Sequence, residues 1–144
     1  MTLSAVTLVA DRAAHLGHLV AGLVRSAPPV DELVIVDMGS TDDPRSVVAA
    51  LDPGFPVRWV DVAPGPDGAL PLARARNAGA EHATGDALLF LDVDCIPSVA
   101  TVGAYADAIR RGAGPGPRRG RRPTSRPRPV GVAPPPRPRP RAAR

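Results

Sequence analysis

Apolar residues recur along residues 3–109 in two alternating rhythms: short runs apolar on both faces, then stretches with one apolar side. Leu3–Ala10, Leu-Ser-Ala-Val-Thr-Leu-Val-Ala, predicts a strand. Ala14–Arg25 places Leu16, Leu19, Val20, Leu23 and Val24 at helical spacing, and Pro28 and Pro29 stop it. Glu32–Asp37, Glu-Leu-Val-Ile-Val-Asp, predicts a second strand, and Gly39–Asp42 a turn. Asp43 suits a cap and Pro44 the first turn of a helix through Ala50, which Asp52-Pro53-Gly54 ends. Val57–Val62 predicts a third strand, Ala63–Gly68 a loop, and Leu72–Ala83 a helix closed by Gly85. Ala87–Asp92 predicts a fourth strand. Ser98–Arg111 predicts a last helix with Val99, Val102, Tyr105, Ala106 and Ile109 on one side. Strands alternating with helices predict an α/β fold, a mainly parallel sheet with helices on both faces.

Composition divides the chain. Its 18 basic residues are all Arg, and twelve of them lie in residues 110–144. All 14 acidic residues lie before Arg110, so residues 1–109 carry −8 and the remainder +12. Ten of the 19 Pro fall from Gly112 onward, with few apolar residues and no periodicity. Such a segment buries too little surface to offset the entropy of ordering, so residues 112–144 are expected to be a disordered Arg/Pro/Gly-rich tail and residues 1–111 the folded domain. One cysteine, Cys95, excludes an internal disulfide, and a packed thiol is expected there. No apolar run approaches the ~18 residues that span a membrane. No basic segment precedes the first apolar stretch, as a signal peptide would require; the expected location is cytoplasmic.

In a parallel sheet, ligands bind beyond the carboxyl ends of the strands. Asp11 follows the first strand, Asp37 ends the second, Asp61 lies near the end of the third, and Asp92 and Asp94 end the fourth. Scattered surface acids would occupy both edges; these share one. Residues i and i+2 of an extended chain point the same way, so Asp92 and Asp94 can offer hard oxygen ligands to one divalent cation. The absence of Lys removes several alternatives. A P-loop requires Gly-x-x-x-x-Gly-Lys-[Ser/Thr], and phosphoacceptor receiver domains and dehalogenase-type phosphatases also use a lysine beside their aspartates. A dinucleotide fold requires Gly-x-Gly-x-x-Gly after the first strand, where this chain has Asp11-Arg12-Ala13-Ala14.

Three segments remain: Val-Asp-Met-Gly-Ser-Thr-Asp (Val36–Asp42), Ala-Arg-Asn-Ala-Gly-Ala (Ala75–Ala80) and Gly-Asp-Ala-Leu-Leu-Phe-Leu-Asp-Val-Asp (Gly85–Asp94). In that order and spacing the chain resembles the nucleotide-sugar-binding half of the family 2 inverting glycosyltransferases over Leu3–Arg111. The resemblance implies a partial GT-A, Rossmann-like fold. It implies Asp37 beside the base or ribose, and Arg76 and Asn77 opening toward the nucleotide. It implies Asp92 near the ribose or metal and Asp94 coordinating Mg²⁺ or Mn²⁺ that bridges the diphosphate. The donor would be a UDP-, GDP- or dTDP-linked sugar.

Two departures follow from the same comparison of motifs. Met38 stands where many relatives carry a second acid. The family's acceptor-binding region and catalytic base follow the last helix, where this chain turns into Arg, Pro and Gly. The expectation is a truncated donor half, weakly active or inactive alone, with neither acceptor nor base identified. The tail resembles an out-of-frame reading of GC-rich coding sequence. The alternative class is a nonenzymatic fragment whose basic tail binds nucleic acid or anionic surfaces nonspecifically. Trp59 reads as core rather than a sugar platform. His15 and His18, i and i+3, read as a solvated helix face. Arg74 and Arg76 diverge on their helix, and Arg76 is the one expected to face phosphate.

Overall fold

The computed structural model describes residues 1–112. The expected disordered tail, and any nucleic-acid binding through it, lie outside them except for Gly112. Nine elements follow one another: β1 (Leu3–Val9), α1 (Ala13–Val24), β2 (Glu32–Asp37), α2 (Pro44–Ala50), β3 (Val57–Asp61), a 3₁₀ turn (Pro66–Gly68), α3 (Leu72–His82), β4 (Ala87–Phe90) and α4 (Thr101–Gly112). The four strands form one parallel sheet in the order β3-β2-β1-β4. The expected α/β sheet with flanking helices is the fold.

Alternation along β1 and β2 divides their side chains between two cores. Leu3, Ala5 and Val9, with Leu33 and Ile35, face Leu16, Leu19, Val20 and Leu23 of α1, Val48 of α2 and Val102 of α4. Val6, Val34 and Val36 face the other way, onto Ala75 of α3. Both faces are covered, so every residue of β2 and nearly every residue of β1 is buried. The third helix approaches the sheet at Gly79, where an added Cβ would lie 2.5 Å from Val6 Cγ1 and 3.1 Å from Val36 Cγ2. The glycine of Ala75–Ala80 is therefore a packing residue.

At the amino-terminal edge, Glu32 joins three segments. Its Oε1 accepts from Ser4 Oγ (2.6 Å), Thr84 N–H (2.5 Å) and Thr84 Oγ1 (2.9 Å), tying β1 and β2 to the turn before β4. Burial raises the Glu32 pKa, but the hydrogen bonds from Ser4, Thr84 and the Gly85 backbone outweigh it and hold the carboxyl below its ordinary value.

Several local expectations are corrected. The fourth strand stops at Phe90 instead of Asp92, because its pairing with β1 ends at Val6↔Phe90. Asp92 and Asp94 belong to a turn closed by Cys95 N–H donating to the Asp92 carbonyl (2.9 Å), so extended geometry does not relate them. Cys95 in that turn is exposed, not packed. The last helix begins at Thr101, after Ser98 N–H has bonded Thr101 Oγ1. It buries Val102 and Ala106, while Val99 and Tyr105 are exposed. Trp59 packs partly against the larger core, with the Arg45 guanidinium 4.6 Å from its ring centroid.

Candidate functional site

The strand order has one switch point. From β1 the chain adds β2 and β3 on one side and β4 on the other. Loops leaving β1 and β4 diverge there, which opens a crevice beyond their carboxyl ends. A cleft of about 470 Å³ occupies this place, lined by Leu8 and Ala10 from the end of β1, Met38 after β2, and Asp92, Val93 and Asp94 after β4. Arg12, ahead of α1, and Leu70, Leu72 and Arg76 at the start of α3 complete its wall. An apolar floor with two guanidinium groups and two carboxylates suits a polar, anionic ligand with an apolar portion.

The sheet brings some of the sequence-predicted residues together and separates others. Arg76, Asp92 and Asp94 share the cleft, and Arg76 Nη2 lies 3.8 Å from Asp92 Oδ1. Asp37 does not line it. That residue is paired in register with Asp61 and lines a second cleft of about 300 Å³ with Gly39, Ser40, Asp61, Val62 and Ala63. Asp37 Oδ1 accepts from the Gly39 and Ser40 N–H groups, at 3.1 and 2.8 Å, and so shapes the turn after β2. Asn77 is exposed and lines neither cleft. The Arg74 guanidinium diverges from Arg76 and donates to the Ala63 carbonyl. Asp61 is taken up by Arg45, at 2.6 Å. His15 and His18 are both exposed. Among the described residues, no three His, Cys, Asp or Glu side chains converge as a metal cage.

Sequence reasoning missed a clasp between the loops after β1 and β2. Thr41 donates to Asp11 Oδ1 through its N–H (2.7 Å) and its hydroxyl (2.9 Å), and Asp11 N–H donates to Ser40 Oγ (3.1 Å). In return, Asp42 Oδ2 accepts from Ala13 N–H (2.7 Å), satisfying a free donor at the start of α1. The Thr41 backbone bond, then the Thr41 hydroxyl, hold the Asp11 carboxyl below its usual range. Asp42, the last residue of the Val36–Asp42 segment, thus acts as a helix cap supplied from another loop. Its signal was the unfilled cap of α1, where Arg12 offers no side-chain bond.

Solved structures superpose on this fold. S. aureus TarS superposes with a TM-score of 0.66 at 21% identity, covering 77% of this chain and 33% of TarS. The mannosyltransferase PcManGT from Pyrobaculum calidifontis, in complex with GDP-Man and Mn²⁺, gives a TM-score of 0.62 at 25% identity, covering 78% of this chain and 32% of that one. Glucosyl-3-phosphoglycerate synthase from Mycobacterium tuberculosis, in complex with Mn²⁺ and UDP-glucose, gives 0.58 at 26% identity, covering 78% and 40%. The chain thus spans about a third of the length of the first of these relatives. No curated protein matches it. The family profile of glycosyl transferase family 2 matches residues 4–128, entering the Arg/Pro-rich segment. That profile covers most of the chain, and the fold is that of the superposed GT-A glycosyltransferases: the chain belongs to glycosyl transferase family 2.

Proposed function

We propose that residues 1–112 bind a nucleotide-sugar donor at the switch-point cleft, with the diphosphate against Arg76 and the Asp92–Asp94 turn. One observation carries this reading. Three residues named from two separate motifs, Arg76 from one and Asp92 and Asp94 from the other, line a single cleft at the edge where parallel sheets take their ligands. Asp94 is the main ligand of a Mg²⁺ or Mn²⁺, with Asp92 supporting it or meeting the ribose. The donor chemistry fits: both groups are hard carboxylates, and no third protein ligand converges among the described residues. Such cations are typically held by one or two carboxylates, with substrate phosphates and water completing the shell. When bound, the metal neutralises charge developing on the departing nucleoside diphosphate.

The chain's own residues bind and orient. Arg76 on α3 offers a guanidinium to phosphate oxygens, in competition with its contact to Asp92. Leu8, Ala10 and Met38 give the floor apolar area. Asp37, with Oδ1 occupied by the turn, can accept from a base or ribose through Oδ2 at the second cleft. We assign no donor contact to Asn77. The identity of the linked sugar as a UDP, GDP or dTDP conjugate is part of the same proposal. The GDP-Man and UDP-glucose complexes of two relatives support the GDP and UDP forms. The expected reaction is transfer of that sugar to an acceptor hydroxyl with departure of the nucleoside diphosphate.

Thermal-shift and calorimetric titration of the 144-residue chain with UDP, GDP and dTDP tests this. One of the three should bind and stabilise the chain with Mn²⁺, and much less in EDTA. Asp94→Asn should remove the Mn²⁺ dependence. Asp107→Asn, on α4 and paired with Arg110, should leave it unchanged. Equal losses from both substitutions would mean a diffuse acidic surface rather than a site.

A further inference from the structure

Arg12 lies between the two halves of the clasp. On one side Asp11 is bonded by Ser40 and Thr41; on the other the Ala13 N–H is bonded by Asp42. Asp11 is held at φ 49°, a left-handed conformation that aspartate takes more readily than most residues and that Asp43, Asp52 and Asp67 share. The loop thus fixes where the Arg12 backbone stands, yet its side chain forms no ion pair or hydrogen bond among the described residues. That side chain lines the switch-point cleft, with Arg76, Asp92 and Asp94 in the same wall.

Charge gives this placement its meaning. Two guanidinium groups and two carboxylates sum to zero. A divalent cation raises the cleft to +2, which matches the two negative charges of a sugar-linked diphosphate. Of the two guanidinium groups, Arg76 is drawn toward Asp92, 3.8 Å away. Arg12 is the uncommitted one, and a guanidinium fork meets phosphate oxygens two at a time. We infer that Arg12 is a second diphosphate-binding residue, supplied by the loop after β1 and acting independently of the metal. This rests on the donor reading above and adds a residue that none of the three motifs contains.

The test titrates the full chain and its Arg12→Gln and Arg12→Lys variants with UDP and GDP, in Mn²⁺ and in EDTA, and records each variant's melting temperature without ligand. Arg12→Gln should weaken the tighter diphosphate by about tenfold or more. Arg12→Lys should restore only part of that. The ligand-free melting temperature should not move, because the side chain has no partner among the described residues. In an Asp94→Asn background, where the Mn²⁺ dependence is gone, removing Arg12 should still weaken the residual binding. Binding within about twofold of the parent overturns the inference alone. So does a loss of affinity that tracks a lowered melting temperature, which would make Arg12 structural. If the parent chain binds neither diphosphate, the donor reading falls and this inference falls with it.

Discussion

Thr7 sits at the centre of β1 with no exposed surface, and its Oγ1 has no hydrogen-bond partner among the described residues. A buried hydroxyl without a partner forfeits its hydration with nothing in return. Valine has nearly the same shape without that cost. Thr7→Val is expected to raise unfolding stability by about 1 kcal/mol, read from urea denaturation. A loss of stability would show that the hydroxyl has a partner. The same type of side chain has a different role at Thr41, where N–H and hydroxyl together hold Asp11. Residue type alone does not separate the two cases; the neighbour 30 positions away does.

The third helix shows how an element carries a functional group into place. Its Ala75 and Gly79 are buried against β1 and β2, and Arg76 follows from that docking. Gly79→Ala would press a methyl group into Val6 and Val36, both in the middle of buried strands. Overpacking of this kind costs about 1–3 kcal/mol. The variant should therefore unfold at lower denaturant, and the displaced α3 should also weaken the proposed nucleotide binding through Arg76. Unchanged midpoints would mean that the helix slides away from the sheet freely. The fourth strand, like β3, differs from the two buried central strands. It is short and lies at the edge, with Leu88 and Phe90 exposed.

The whole domain is held at opposite edges by different means. The carboxyl edge carries the clasp and the clefts, whereas the amino edge is joined by Glu32. Because its folded pKa is lowered, Glu32 contributes stability that is fully present above its unfolded value and is lost as pH falls through the folded one. Between the two, the unfolded chain binds more protons, so stability rises with pH. Glu32→Gln should cost about 1–3 kcal/mol near neutral pH, by weakening three bonds to a buried acceptor. The gap between variant and parent should narrow as pH falls through the ordinary glutamate range and below it. A gap constant over that range would mean that the carboxylate charge contributes nothing.

Much of this protein was legible in the order of its residues. Strand and helix rhythms are local, so the four strands, the helices and the buried character of β2 followed from periods of a few residues. The motifs around Asp37, Arg76 and Asp92–Asp94 led to the family by the same route, since each is a short run with defined chemistry. What lay outside local reach was set by neighbours far apart in the chain. The order β3-β2-β1-β4 places the switch point between β1 and β4, and thereby puts Asp92 and Asp94 in one cleft and Asp37 in another. The end of pairing at Phe90 converts the Asp92–Asp94 spacing from strand to turn and exposes Cys95. Arg12 lines the cleft, and the residues on either side of it are bonded to partners 29 and 30 positions away. Periodicity records which face a residue turns inward; pairing order and loop-to-loop bonds, which no local pattern encodes, decide which of those faces meet.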